Sequence, residues 1–230
     1  MVFANSLKRD IRNVCDAIDS VDICKGDITL QSYDAIVCPD DTKLSGSGGL
    51  AKKIHLKAGP LLKKALASID ECPVGQTRVT DGFKLSTTHI IHTATPAWEG
   101  GNNYEELQLT SCYSSILQAA SDLHCETLAI PSIGTGYHKF PKERAAEIAL
   151  RTIVYYQAKI PSCLRVSIVC TNEETYEHYK IVFKRMIVKL FMEFYSPESC
   201  EINHLSDMDM GPYYSWMVKL RDLETVSHDY

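Results

Sequence analysis

The 230-residue sequence contains no CxxC pair, no long uninterrupted apolar run and no excess of basic residues. The first absence matters because nine cysteines are present, at 15, 24, 38, 72, 112, 125, 163, 170 and 200. Their number is odd, and several, including Cys24, Cys38 and Cys170, sit inside apolar strand-like runs, where a thiol acts as a small hydrophobe. Neither a disulfide framework nor a zinc site is expected. The cysteine usage fits a reducing, intracellular compartment, cytoplasm or nucleus. The longest apolar cluster, near Met186–Phe194, is interrupted by Lys and Glu, so no membrane span is expected. The opening MVFANSLKRD lacks the apolar core of a secretory signal. With 24 Lys and Arg against 29 Asp and Glu, the net charge is −5. That argues against general nucleic-acid binding through phosphate neutralisation. It leaves room for one small phosphate-containing ligand held by backbone amides.

What is present alternates between buried strands and amphipathic helices. Leu7, Ile11, Val14, Cys15 and Ile18 predict a helix within 1–19. Short apolar runs predict strands at 21–24, 34–38, 76–81, 89–93, 126–130 and 164–170, with 76–81 at an edge. Helical spacing covers a stretch from about Leu50, broken at Gly59-Pro60, then 104–123, 142–158 and a final stretch after Cys170. Thr171 and Glu174 stand at capping-box spacing before that last helix. The pattern implies an α/β domain with a largely parallel sheet and helices on both faces. The expected division is an N-terminal helical segment at 1–19, a main domain at 20–193 and a loosely packed or helical extension at 194–230.

Ligands of open α/β sheets sit at the carboxyl ends of the strands. Four features fall there. Asp27 follows the first strand. Pro39-Asp40-Asp41 leads into the glycine-rich Gly46-Ser47-Gly48-Gly49 and the helix from Leu50. Ser132-Ile133-Gly134-Thr135-Gly136-Tyr137 follows the strand at 126–130. Thr171-Asn172 follows the last strand. Glycine-rich turns ahead of helices aim backbone N–H groups at anions, and glycine removes the Cβ that would hold a ligand off. Two such loops suit a ligand with a central diphosphate, and a carboxylate at one end suits an adenine amine. Neither loop carries the Lys-Ser/Thr of a P-loop or the G-x-G-x-x-G of a dinucleotide fold. Each feature also has an ordinary structural reading: Asp27 as a turn residue, Asp40-Asp41 as a solvated turn, His55 and His92 as buried histidines, and Lys52, Lys53, Lys57, Lys63 and Lys64 as a solvated helix face.

Seven ordered blocks carry a resemblance: Gly26-Asp27-Ile28-Thr29; Asp34-Ala35-Ile36-Val37; Gly46–Gly49 with Ile54-His55 and Ala58-Gly59-Pro60; Thr77–Asp81; Ile90-Ile91-His92-Thr93; Pro96 with Trp98 and Gly100-Gly101; and Ile130–Pro141. Over about residues 20–190 the chain resembles the macrodomain family, most closely in pattern its mono-ADP-ribosyl hydrolase branch. The resemblance implies a three-layer α/β/α fold with a mixed, mostly parallel sheet, an ADP-ribose ligand and no cofactor or metal. It implies that Asp27, with the Ile28 backbone, meets the adenine. Gly46, Ser47, Gly48, Gly49 and Leu50 would lie along the distal ribose and diphosphate. Ser132, Ile133, Gly134, Thr135, Gly136 and Tyr137 would wrap the diphosphate from the other side, with Tyr137 near the distal ribose. Thr171 stands where many relatives place an aromatic residue against the adenine, and Asn172 follows it.

Two departures bear on catalysis. The family's Asn-Ala-Ala-Asn reads Cys38-Pro39-Asp40-Asp41 here, and Ala51 replaces the acid that follows the glycine loop in the hydrolase branch. Asp41 then puts a carboxylate where the family contacts the distal ribose. It would activate a water as general base or pair with a guanidinium on arginine-linked ADP-ribose, with Asp40 beside it. The expectation is a monomer that binds ADP-ribose or ADP-ribosylated protein and hydrolyses the linkage. The alternatives are a non-catalytic reader and a scaffold with a decayed pocket.

Overall fold

A computed structural model of the protein describes residues 12–160, 164–194 and 211–225. Residues 1–11 of the expected N-terminal helix lie outside the described residues, and 12–19 are helical (α1). The chain continues through β1 (Val21–Lys25), a short 3₁₀ turn (Ile28–Leu30), β2 (Ala35–Asp40), α2 (Gly49–Ala58), α3 (Pro60–Leu66), β3 (Thr77–Asp81) and β4 (His89–Ala94). It ends with α4 (Glu105–Asp122), β5 (Thr127–Pro131), α5 (Lys142–Lys159), β6 (Arg165–Cys170), α6 (Glu173–Phe194) and α7 (Gly211–Thr225).

The six strands form one sheet in the order β1-β6-β5-β2-β4-β3. All neighbours are parallel except β3, which pairs antiparallel with β4 at the edge. The period-2 alternation of a strand sorts its side chains between two cores. Val37, Ile91, Ile130 and Ile168 face a large core filled by α1, α4, α5 and α6. Ile36, Cys38, Ile90 and Val169 face a smaller one closed by α2 and α3. The three-layer α/β/α architecture follows directly.

Local chemistry sets the element ends. Gly59 takes φ 86° between α2 and α3, and Pro60 opens α3, where its missing N–H costs nothing. The Asp34 carboxylate accepts from Glu126 N, Thr127 N and the Thr127 hydroxyl, each at 2.9 Å, which ties the start of β2 to β5. The β2–β5 ladder then stops at Ile36, while β2 stays paired with β4 through Asp40. Pro39 has no N–H to give to a ladder. The two strands thus part before their carboxyl ends, which leaves their loops free to diverge.

Two sequence expectations change and a third takes a definite form. Pro39 and Asp40 belong to β2 rather than to the loop after it, because β4 continues to pair with them. The cap of α6 is Asn172, whose side-chain oxygen accepts from Thr175 N at 2.9 Å, rather than Thr171. The C-terminal stretch includes α7, which packs on α6 and buries Trp216 in the larger core against Phe191, with ring centroids 5.9 Å apart.

Ile168→Ala empties a fully buried site in an interior strand. It should destabilise the protein by about 2–5 kcal/mol in chemical denaturation. Leu107→Ala, on the exposed face of α4, should change stability by about 0.5 kcal/mol or less. Equal effects of the two would contradict this layering.

Candidate functional site

The cleft is built from the carboxyl ends of β1, β2, β5 and β6. At the β1 end, Asp27 caps the 3₁₀ turn: its Oδ1 accepts from Thr29 N at 3.1 Å and from the Thr29 hydroxyl at 2.6 Å. Two lysines of α2 reach its other oxygen, Lys53 at 2.9 Å and Lys57 at 3.4 Å. Part of the basic face of α2 is therefore paired rather than simply solvated. Burial raises the Asp27 carboxyl, but the Thr29 and lysine hydrogen bonds outweigh it and hold it well below the usual carboxylate range. Ile28 is buried beside it.

In the middle, the loop after β2 folds around two aspartates with different work. The Asp40 side chain is fully buried, and its carboxylate accepts from Asp41 N at 2.9 Å and from Gly46 N at 3.0 and 3.1 Å. Asp41 faces the opening. It accepts from Lys43 N at 2.9 Å, Ser45 N at 3.1 Å, the Ser47 hydroxyl at 3.1 Å and, closer still, the Ser45 hydroxyl. Burial raises its carboxyl, and these donors more than offset that, so its pKa is lowered. Gly46 has φ 68°, and a Cβ there would sit 2.3 Å from the His55 ring, so only glycine fits.

Gly48 and Gly49 differ from Gly46. A Cβ on either would meet nothing within 4 Å, so packing does not demand glycine there. They open α2, whose N-terminus has no side-chain cap hydrogen bond. Its first N–H groups and the helix dipole therefore favour an anion. Leu50 follows at the start of α2, and Ala51, where an acid was looked for, is buried.

The loop after β5 forms the facing wall. Gly134 takes φ 83°, and its carbonyl accepts from Phe140 N at 3.0 Å. The Thr135 hydroxyl donates to the Ser132 hydroxyl at 2.9 Å, and Ile133 is buried. Gly136, like Gly48, has open space where a Cβ would be. Tyr137 is 88% exposed, a large aromatic held at the rim. Trp98 N donates to the His138 carbonyl at 2.9 Å, and the Trp98 and Phe140 rings meet at 4.8 Å, so this wall is braced from behind. At the far side Asn172 spends its side-chain oxygen on the α6 cap, and Thr171 is exposed.

The β5 loop also carries His138, half-buried next to Tyr137. Burial lowers the His138 pKa, and the Asp41 charge partly counters it. The two loops thus bring a carboxylate and a neutral imidazole within electrostatic reach. The sequence signal for His138 was its place beside Tyr137 in a loop already marked for function.

The family model described as Macro domain matches residues 37–149. A "Macro domain-containing protein" of Methanosarcina mazei is 36% identical over 170 residues, covering 74% of this chain and 91% of that protein. The chain belongs to the Macro domain family. A Klebsiella pneumoniae protein named O-acetyl-ADP-ribose deacetylase is 37% identical over 163 residues, covering 69% of this chain and 93% of the relative. The structure titled Trypanosoma brucei macrodomain in complex with ADP-ribose superimposes with TM-score 0.66 at 31% identity, covering 71% of this chain and 69% of that one.

The ion pairs at Asp27 give a pH prediction. A carboxyl lowered by folding stabilises fully above its unfolded pKa of about 3.9 and loses that contribution as pH falls through its folded value. The difference in thermal midpoint between wild type and Asp27→Ala should stay level from about pH 7 to 5 and shrink below about pH 4. A gap that widens on acidification would contradict the pairing.

Proposed function

We propose that this macrodomain binds ADP-ribose across the cleft and hydrolyses the bond that joins the distal ribose to a protein side chain or a small acyl group. The observation that carries the binding half is the pair of glycine loops on neighbouring strands. Gly48, Gly49 and Gly136 leave open the space a Cβ would fill, and Gly48 and Gly49 themselves form the uncapped start of α2. A diphosphate suits that geometry because it accepts several backbone N–H groups without needing a metal. Asp27 and the Ile28 backbone take the adenine end, with Lys53 or Lys57 moving aside as the adenine amine arrives. Both lysines are partly exposed, so that movement is cheap. Thr171 offers no ring to stack on the adenine, and hydrogen bonds carry more of the recognition there.

At the distal ribose, Asp41 is fixed by four donors and ionised. A carboxylate held so low is a weak proton acceptor. Its fitting task is to orient an attacking water or a cationic leaving group, so that orientation supplies much of the rate. His138, kept neutral by burial, is the better proton acceptor. Asp40 shapes the loop from below, and Tyr137 shields the ribose. The likeness to a deacetylase-named relative supports a hydrolytic reading.

A second reading is favoured by Ala51 and by the low basicity of Asp41: a reader that binds ADP-ribosylated protein and leaves it intact. The two separate cleanly. The chain is incubated with Arg-, Glu- and Ser-linked mono-ADP-ribosylated substrates and with O-acetyl-ADP-ribose, and free ADP-ribose or acetate is measured. The hydrolase reading expects release from at least one substrate and a loss of about 10²-fold or more in Asp41→Ala, as lost positioning costs. Binding by calorimetry with no release from any substrate leaves the reader. Asp27→Ala should weaken ADP-ribose binding by about 1–3 kcal/mol, and unchanged affinity would move the adenine elsewhere.

A further inference from the structure

Beneath the β2 loop, four side chains converge on one point. Cys38 and Asp40 lie on the same face of β2, two residues apart, and His92 is the register partner of Cys38 on β4. His55 descends from α2 onto them. One ligand atom from each of the four lies within 4.8 Å of the others. Cys38 and His92 are fully buried, Asp40 nearly so, and His55 largely so.

The hydrogen bonding leaves two imidazole nitrogens over. His92 Nε2 is 3.0 Å from the Thr80 hydroxyl, but its buried Nδ1 has no partner. His55 Nε2 is also buried without a hydrogen bond; it lies 3.2 Å from Asp40 Oδ2 but is not aligned to donate to it. The two rings meet edge to face with centroids 5.9 Å apart. Unpaired buried polar atoms are costly, and two of them beside a thiol and a carboxylate need an explanation.

We infer that Cys38, Asp40, His55 and His92 form a structural zinc site under the distal-ribose loop. The donor set is one sulfur, two imidazoles and one carboxylate, which suits Zn²⁺ and disfavours Mg²⁺ and Ca²⁺. Four protein donors close a tetrahedral shell and leave no open position for a substrate. Tetrahedral donors stand about 3.5 Å apart at ordinary zinc bond lengths, so the cluster needs only a modest contraction. Charge also balances. The Cys38 thiol gives its proton to solvent, a Zn–S bond forms, and thiolate plus carboxylate offset the 2+ charge in a buried place. The Thr80 hydroxyl on His92 Nε2 fixes the ring with Nδ1 toward the cluster, the usual role of an outer hydrogen bond. Asp40 keeps its bonds to Asp41 N and Gly46 N through its remaining lone pairs. The two anionic donors, Cys38 and Asp40, both fall in the stretch Cys38-Pro39-Asp40-Asp41, which departs from the Asn-Ala-Ala-Asn pattern at every position.

The test uses the full chain. After zinc incubation and exhaustive dialysis, elemental analysis should find stoichiometric zinc. Replacement with Co²⁺ should give the intense visible bands of tetrahedral cobalt and a near-ultraviolet thiolate charge-transfer band. Cys38→Ala should lose the charge-transfer band, whereas Cys125→Ala, distant on the other side of the sheet, should keep it. X-ray absorption of the zinc-loaded wild type should find one sulfur and three nitrogen or oxygen neighbours, a result independent of whether Cys38→Ala folds. Folded protein that retains no zinc, a shell without sulfur or with more than one, or a charge-transfer band that survives in Cys38→Ala would overturn the site.

Discussion

The buried carboxylate of Asp40 holds the ligand face of this protein together. It sits at the last position of β2 and accepts from Asp41 N and Gly46 N, both further along the chain, so it closes the loop that leads into α2. A charge buried this deeply is costly unless hydrogen bonds satisfy it. The satisfied arrangement is therefore specific: Gly46 must present its N–H, and its positive φ follows. The open N-terminus of α2 then falls where the sheet has already split between β2 and β5. The diphosphate wall, the placement of Asp41 and the proposed zinc site all hang on that one side chain.

Much of this was legible in the sequence. Strand and helix periodicities are local and strong, so every strand and the Gly59-Pro60 break were found to within a residue or two. The ordered glycine blocks carried the family. Position along the chain did not carry pairing in space. Pro39 reads as a strand terminator, yet β4 holds it in the sheet while β5 has already let go. Thr171 has the spacing of a capping box, but Asn172 stands one residue nearer the helix and takes the role. The extension has no clear period because only some residues of α7, Trp216 and Leu223 among them, turn inward. Cys38, Asp40, His55 and His92 come from two strands and a helix, and no linear motif links them.

The electrostatics reconcile an acidic chain with an anionic ligand. The net charge is −5, but the proposed diphosphate site would use backbone dipoles rather than side-chain cations. Its acidic groups are each already occupied: Asp27 by two lysines, Asp41 by two hydroxyls and two amides, Asp40 by loop amides. Saturated carboxylates of this kind repel an incoming phosphate less than free ones and hold their geometry. In the proposed hydrolytic reading, the same saturation makes Asp41 a positioning group rather than a strong base.

The central claim is that one ADP-ribose spans the cleft from Asp27 to Asp41, between the Gly46–Leu50 and Ser132–Tyr137 walls. A crystal structure of the chain soaked with ADP-ribose tests it most directly. The account predicts the adenine at Asp27, the diphosphate on the N–H groups at the start of α2 and in the β5 loop, and the distal ribose beside Asp41 and Tyr137. A ligand bound outside this cleft, or one whose diphosphate touches neither glycine loop, would contradict it.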